Sequence, residues 1–164
     1  MTKYFSPAET AGLIRKALKE AFPDVKFSVR TSTYSGGASV RVGWTDGPNR
    51  AQVEAIADTF SGSYFDGMTD YKGSNYYMVD GERASFGADF IFCERSYSDA
   101  MIVRAIGKLT KKYAPAEVCT VEQFRNGKAG AMVMIGDSWS NYWCWQEQIY
   151  QTLAKMSDRL TVQP

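Results

Sequence analysis

The densest run of side chains able to do chemistry lies between residues 64 and 82, where Asp66, Asp70, Asp80 and Glu82 are interleaved with Tyr64, Tyr71, Tyr76 and Tyr77. Paired carboxylates can hold Mg²⁺ or exchange protons. Carboxylates set among tyrosines can also imitate a nucleic-acid strand or anchor a protein interface, where tyrosine is enriched. The same residues suit plain turn chemistry, since Asp-Gly stands at 66–67 and again at 80–81. On the interface reading, the candidate partner-binding residues are Asp66, Asp70, Tyr71, Tyr76 and Tyr77.

Two basic groups form a second candidate. Lys26, Arg30 and Arg41 fall on one side of a predicted strand pair. Lys108, Lys111 and Lys112, with Arg104, mark the outer face of a predicted helix. Together Lys26, Arg30, Arg41, Lys108, Lys111 and Lys112 would serve an alternative nucleic-acid-binding role; as bland features they are a solvated helix face and cations blunting a sheet edge. Lys and Arg number 19 against 18 Asp and Glu, a net charge of +1. That balance gives no electrostatic case for a general nucleic-acid binder.

A third group is aromatic: Trp139, Tyr142, Trp143, Trp145 and Tyr150. Counted along one helix, 139, 142, 143 and 150 share a side and Trp145 does not. Trp145 or Tyr142 would then be exposed and mark a contact surface; the alternative is that the cluster is a second core packed on the first three helices.

The missing residues exclude much. The chain has no histidine, so Ser-His-Asp and Cys-His catalysis and His-liganded zinc are ruled out. Cys93, Cys119 and Cys144 are too far apart in sequence for a CxxC-type pair and read as buried free thiols. No P-loop or GxGxxG pattern is present. No catalytic, metal-binding or cofactor-binding residues are expected, and no cofactor. An enzyme would have to work through Cys93, Asp or Tyr without a histidine.

The elements that position these groups begin with a helix over 6–22. Ser6, Pro7 and Glu9 make a capping box with proline in the first turn. Leu13, Ile14, Ala17, Leu18, Ala21 and Phe22 form its apolar face. Alternation at 25–30 and 39–45 predicts an antiparallel hairpin with Val25, Phe27, Val29, Val40, Val42 and Trp44 on its buried face, joined by a loop over 31–37. Asp46-Gly47-Pro48 starts a second helix, with proline again in the first turn, Val53, Ile56, Ala57 and Phe60 inward and Ser61-Gly62 as its stop. Residues 63–87 are mostly loop, with a short strand near 64–71 or 76–79. A strand at 88–94 precedes a helix capped by Ser98 and running to Tyr113. Within 115–136, Thr120 and Gln123 could cap a short helix, or Asn126-Gly127 could turn a hairpin; a strand is placed at 130–135. A last helix runs from after Ser138 to about Leu160.

The fold class expected is α+β: a small, mainly antiparallel sheet covered on one face by helices, in the order α-β-β-α, loop, β-α-β-α. At 164 residues the chain is expected to form one domain, 1–164, with 96–164 a helical extension packed on the part before it. No apolar run approaches the ~20 residues of a bilayer span, and the first residues lack a signal-peptide core. A cytoplasmic protein without membrane contact is expected.

Five segments carry a resemblance: Ile14–Pro23, Val25–Arg30, Gly36–Val40, Trp44–Pro48 and Phe65–Asp70. Over roughly residues 8–95 they resemble, in order and spacing, the twenty-ninth family of large-polyvalent-protein-associated domains. The resemblance implies a phage, plasmid or other mobile-element protein acting inside a bacterial cell. It brings no catalytic motif. By analogy with small stand-alone proteins of such elements, it implies a non-enzymatic inhibitor of a host defence protein or ribonucleoprotein complex, of the anti-CRISPR or anti-restriction type. The alternative is a nucleic-acid-binding accessory module. The aromatic C-terminal helix is compatible with a homodimer.

Overall fold

A computed structural model describes residues 2–132 and 143–157. The chain divides between Ser96 and Tyr97 into two compact units. The elements are helices with small sheets, an α+β fold.

The first unit opens with a short strand β1 (Lys3–Phe5) and helix α1 (Pro7–Ala21). The capping box forms as the residues dictate. The Ser6 hydroxyl accepts from the Glu9 amide at 3.3 Å, and the Glu9 carboxylate accepts from the Ser6 amide at 2.8 Å. Thr10, Ala11, Ile14 and Leu18 make the buried stripe, and the buried Thr10 hydroxyl donates to the Ser6 carbonyl at 2.9 Å.

Strands β2 (Ser28–Tyr34) and β3 (Gly37–Thr45) pair antiparallel from Ser28↔Gly43 to Tyr34↔Gly37. The loop expected over 31–37 is therefore ladder, closed by a two-residue turn with Gly36 at φ 90°. Composition hid this, because Thr31, Ser32 and Thr33 are exposed. Their backbone groups still pair with the buried Ala38–Val40 stretch opposite, and threonine is a good strand former.

Strand β8 (Phe90–Ser96) joins β3 in parallel, giving the order β2-β3-β8. This sheet is thus mixed, while antiparallel pairings predominate over the small sheets of the described residues taken together. A parallel neighbour requires a crossover, supplied by everything from residue 46 to residue 89.

That crossover starts with a turn in which Asp46 and Gly47 both have positive φ, 57° and 55°. Arg95 holds it, donating to the Asp46 carbonyl at 2.8 Å and the Gly47 carbonyl at 2.9 Å. Helix α2 (Arg50–Ala57) begins only after it, capped by Asn49 in a box with Gln52, and ends in a 3₁₀ turn at Asp58–Phe60. The core joins Ile14, Leu18, Val40, Val42, Trp44, Val53 and Cys93 among others.

Residues 63–86 are two hairpins rather than mostly loop: β4 (Ser63–Asp66) with β5 (Tyr71–Ser74), and β6 (Tyr77–Val79) with β7 (Glu82–Phe86). Asp80 and Gly81 close the second with φ 53° and 80°, the signs of the hairpin-favoured I′ turn. β7 also pairs parallel with β1.

The second unit holds α3 (Asp99–Tyr113), capped by Ser98 as expected, then α4 (Val121–Arg125), β9 (Ala131–Met132), β10 (Trp143–Cys144) and α5 (Trp145–Lys155). The Thr120–Gln123 capping box decides for the short helix over the hairpin. Of the strand expected at 130–135, residues 131–132 are strand and 133–135 lie outside the described residues.

The last helix begins at Trp145, not soon after Ser138, and ends at Lys155 rather than near Leu160. Trp139 and Tyr142 lie outside the described residues, and Trp143 belongs to β10 ahead of the helix. The buried stripe of this helix is Trp145, Ile149 and Leu153, spaced by four. Trp145 is buried at 2% exposure in a core with Met101, Ile102, Leu109, Phe124 and Ile149, whereas Tyr150 is 52% exposed. Cys144, expected to be buried, is exposed; Cys93 and Cys119 are buried.

Candidate functional site

The segment between α2 and β8 projects exposed apolar side chains from an anchored base. At the base, the Gly62 amide donates to the Ala88 carbonyl at 2.7 Å and the Asn75 amide donates to the Gly62 carbonyl at 2.9 Å. The hydroxyls of Ser61 and Ser63 each donate to the Asp89 carbonyl at 3.1 Å. Lys72 pairs with the Asp89 carboxylate at 2.8 Å. Gly62 is required here, because a Cβ would run into the Phe86 carbonyl oxygen.

Beyond this base the β4–β5 hairpin carries Tyr64 (50% exposed), Phe65 (56%), Met68 (97%) and Tyr71 (59%). Tyr64 lies across its cross-strand partner Gly73, whose missing Cβ makes room for the ring. Phe65 shares a hairpin face with its partner Lys72. The Lys72 ammonium lies 5.8 Å from the Phe90 ring. Phe90 and Phe92, with centroids 6.3 Å apart, occupy the sheet face that alternates with buried Cys93. Hairpin and bare sheet face therefore meet at Lys72, and Phe92 extends the exposed apolar surface.

The candidate carboxylates have a different place. Asp66 accepts from the Met68 amide at 3.0 Å and the Thr69 hydroxyl at 2.9 Å. These bonds, the Met68 amide first, hold its carboxyl below the usual range. Asp70 takes the left-handed backbone, φ 52°, that returns the chain into β5. The two aspartates shape the tip on which Met68 stands; the aromatic side chains and the methionine supply its contact area. Of the tyrosines, Tyr71 and Tyr76 are exposed, Tyr76 beneath the Arg83 guanidinium at 3.9 Å. Tyr77 is half-buried with its ring 5.3 Å from Phe86, so it supports its hairpin. Burial, and then Asp58, raise its hydroxyl's pKa.

The basic candidates separate into three places. Arg30 and Arg41 are cross-strand neighbours, and Arg41 pairs with Glu94 at 3.1 Å. Lys26 precedes β2 and lines a shallow groove with Arg15 and Lys19, away from the strand ladder. Lys108 and Lys112 line a groove between α3 and α5, while Lys111 lines a separate apolar depression beside Val118.

Cys93 sits in an environment unlike that of a nucleophile. Burial, helped by Asp58 and Glu54, pushes its thiol up to about 12, so at neutral pH it is un-ionised. Among the described residues no group of three or more His, Cys, Asp or Glu is placed to hold a metal ion. No helix among them is long and apolar enough to cross a membrane.

Exposed Phe65, Met68, Met78 and Phe92 were not among the residues singled out from the sequence for contact. The one local sign was apolar side chains beside Asp-Gly turns, where burial is hard to achieve.

The sequence pattern of the family described as large polyvalent protein associated domain 29 matches residues 5–98. The chain belongs to this family. The match spans the first unit nearly end to end, so the hairpin surface is part of the large polyvalent protein associated domain and the α3–α5 groove lies outside it. Membership associates the chain with phages and other mobile elements. No curated protein and no solved structure matches it.

Proposed function

We propose that this chain is a non-enzymatic binding protein of a mobile genetic element, and that it blocks a host defence complex of the anti-CRISPR or anti-restriction kind through its β4–β5 hairpin. The observation that carries the reading is the anchored hairpin bearing Tyr64, Phe65, Met68 and Tyr71 in water. Exposed apolar groups gathered on one protrusion mark interaction sites. Aromatic side chains dominate the energetics of such interfaces, and methionine adapts to irregular surfaces. A mobile-element protein working in the bacterial cytoplasm meets defence complexes as the host assemblies that oppose it, which makes them the favoured partner class.

The test is a panel of bacterial strains, each carrying one defence system and challenged with a phage that the system restricts. Production of the wild-type chain should restore plating on at least one strain. Phe65→Asp with Met68→Asp should abolish that rescue while leaving the melting temperature unchanged. Failure to restore plating on any strain contradicts the anti-defence role.

A further inference from the structure

We propose that the groove between α3 and α5 in the second unit binds single-stranded nucleic acid. Lys108 and Lys112 continue at intervals of four along α3 from Arg104, whose guanidinium donates to the Met101 sulfur at 3.8 Å. That spacing stacks them in one row, with steps of about 6 Å along the helix axis. Such a row can follow successive phosphates of an extended strand. Lys155 faces them from α5, and Gln148 and Thr152 add polar groups on the same wall.

Among the described residues, no carboxylate lines the groove, and no ion pair involves Lys108, Lys112 or Lys155. The nearest acid on α5, Glu147, accepts from the Gln151 amide at 3.1 Å. The three lysines thus form a local positive field in a chain whose net charge is only +1.

The shape selects the ligand. The volume is about 720 Å³, far beyond what an inorganic anion fills and within the range of organic-ligand sites. A concave slot between two helices admits a strand, whereas duplex readers insert a helix into a groove of the DNA. Tyr113 also lines the slot, with the Lys112 ammonium 4.8 Å from its ring. Single-strand binding grooves combine cations that track the backbone with aromatic rings on which bases stack.

The experiment is fluorescence anisotropy of a labelled oligothymidylate with the full chain, across a salt series starting near 50 mM. The expected result is saturable binding with a log–log salt slope of about −2 to −3, as for three or four phosphates on a single strand. Lys108→Gln with Lys155→Gln should flatten the slope by about one or more, with the melting temperature held, since both side chains are exposed. Phe65→Asp should change neither affinity nor slope, which keeps this test separate from that of the hairpin. No binding at low salt overturns the proposal, as does tighter binding of the matching duplex. Equal binding of polyglutamate, or a slope indifferent to the lysine variants, overturns it too.

Discussion

At the residue scale, the Asp66 carboxylate holds the tip of the β4–β5 hairpin in shape. Asp66 accepts two hydrogen bonds within its own turn. Its folded-state pKa is therefore below its ordinary 3.8. The turn's stabilisation is present above that ordinary value and is lost as pH falls through the lower folded one. Protection of the Met68 amide relative to its intrinsic exchange rate should fall as pH drops below 3.8 and be lost at neutral pH in Asp66→Ala; equal protection in that variant would show the turn forms without the carboxylate. The thiols give a second residue-scale prediction. In the folded chain Cys144 should react quickly with a thiol reagent at pH 8, and Cys93 and Cys119 only after denaturant is added, since burial raises the pKa of both. Rapid labelling of Cys93 in the native protein would contradict its placement in the core.

At the scale of elements, the two small hairpins depend on glycines that give way to a neighbour. Gly62→Ala would press a Cβ onto the Phe86 carbonyl, and backbone cannot yield as a side-chain tip does. A loss of about 1–3 kcal/mol is expected in denaturant unfolding. Gly73→Ala should leave global stability nearly unchanged while displacing Tyr64 from its seat; a large stability loss there would show that the hairpin contributes to the core.

Elements whose ends and faces are both written locally were legible. Ser6, Pro7 and Glu9 start α1, Ser98 starts α3, and apolar stripes at helical spacing set their inner faces. Elements defined by distant partners were not. β1 is three residues long and pairs with β7 some eighty positions on. β4 and β5 are a different case: their partners are local, but residues are exposed on both faces, so beyond a short strand near 64–71 no alternation marks the hairpin. For α5, the expected stripe counts from Trp139 and Trp143, whereas the buried one runs through Trp145, Ile149 and Leu153, so Trp145 is a core tryptophan. The candidate site was legible in the same uneven way. The segment and its turns could be read, but which of its side chains remain in water depends on Phe86, Asp89 and Gly62, which hold the base.

At the scale of the molecule, two hydrophobic cores serve the two units separately. Ile14→Ala removes volume from the first core and Leu153→Ala from the second, each at about 2–5 kcal/mol. Hydrogen exchange followed by mass spectrometry should show the first variant raising exchange over residues up to 96 and the second over residues from 97. Uniform acceleration of the whole chain by either variant would mean the units unfold as one. The division also separates the two surfaces, an apolar hairpin within the family domain and a cationic groove outside it. Binding through the hairpin is tested most directly by affinity capture from nuclease-treated lysate of a bacterial host. Wild type, Phe65→Asp/Met68→Asp and Lys108→Gln/Lys155→Gln would be compared side by side by mass spectrometry. A nuclease-resistant defence-complex protein should be retained by wild type and the lysine variant and lost from the hairpin variant. Equal retention by the hairpin variant would contradict binding through the hairpin.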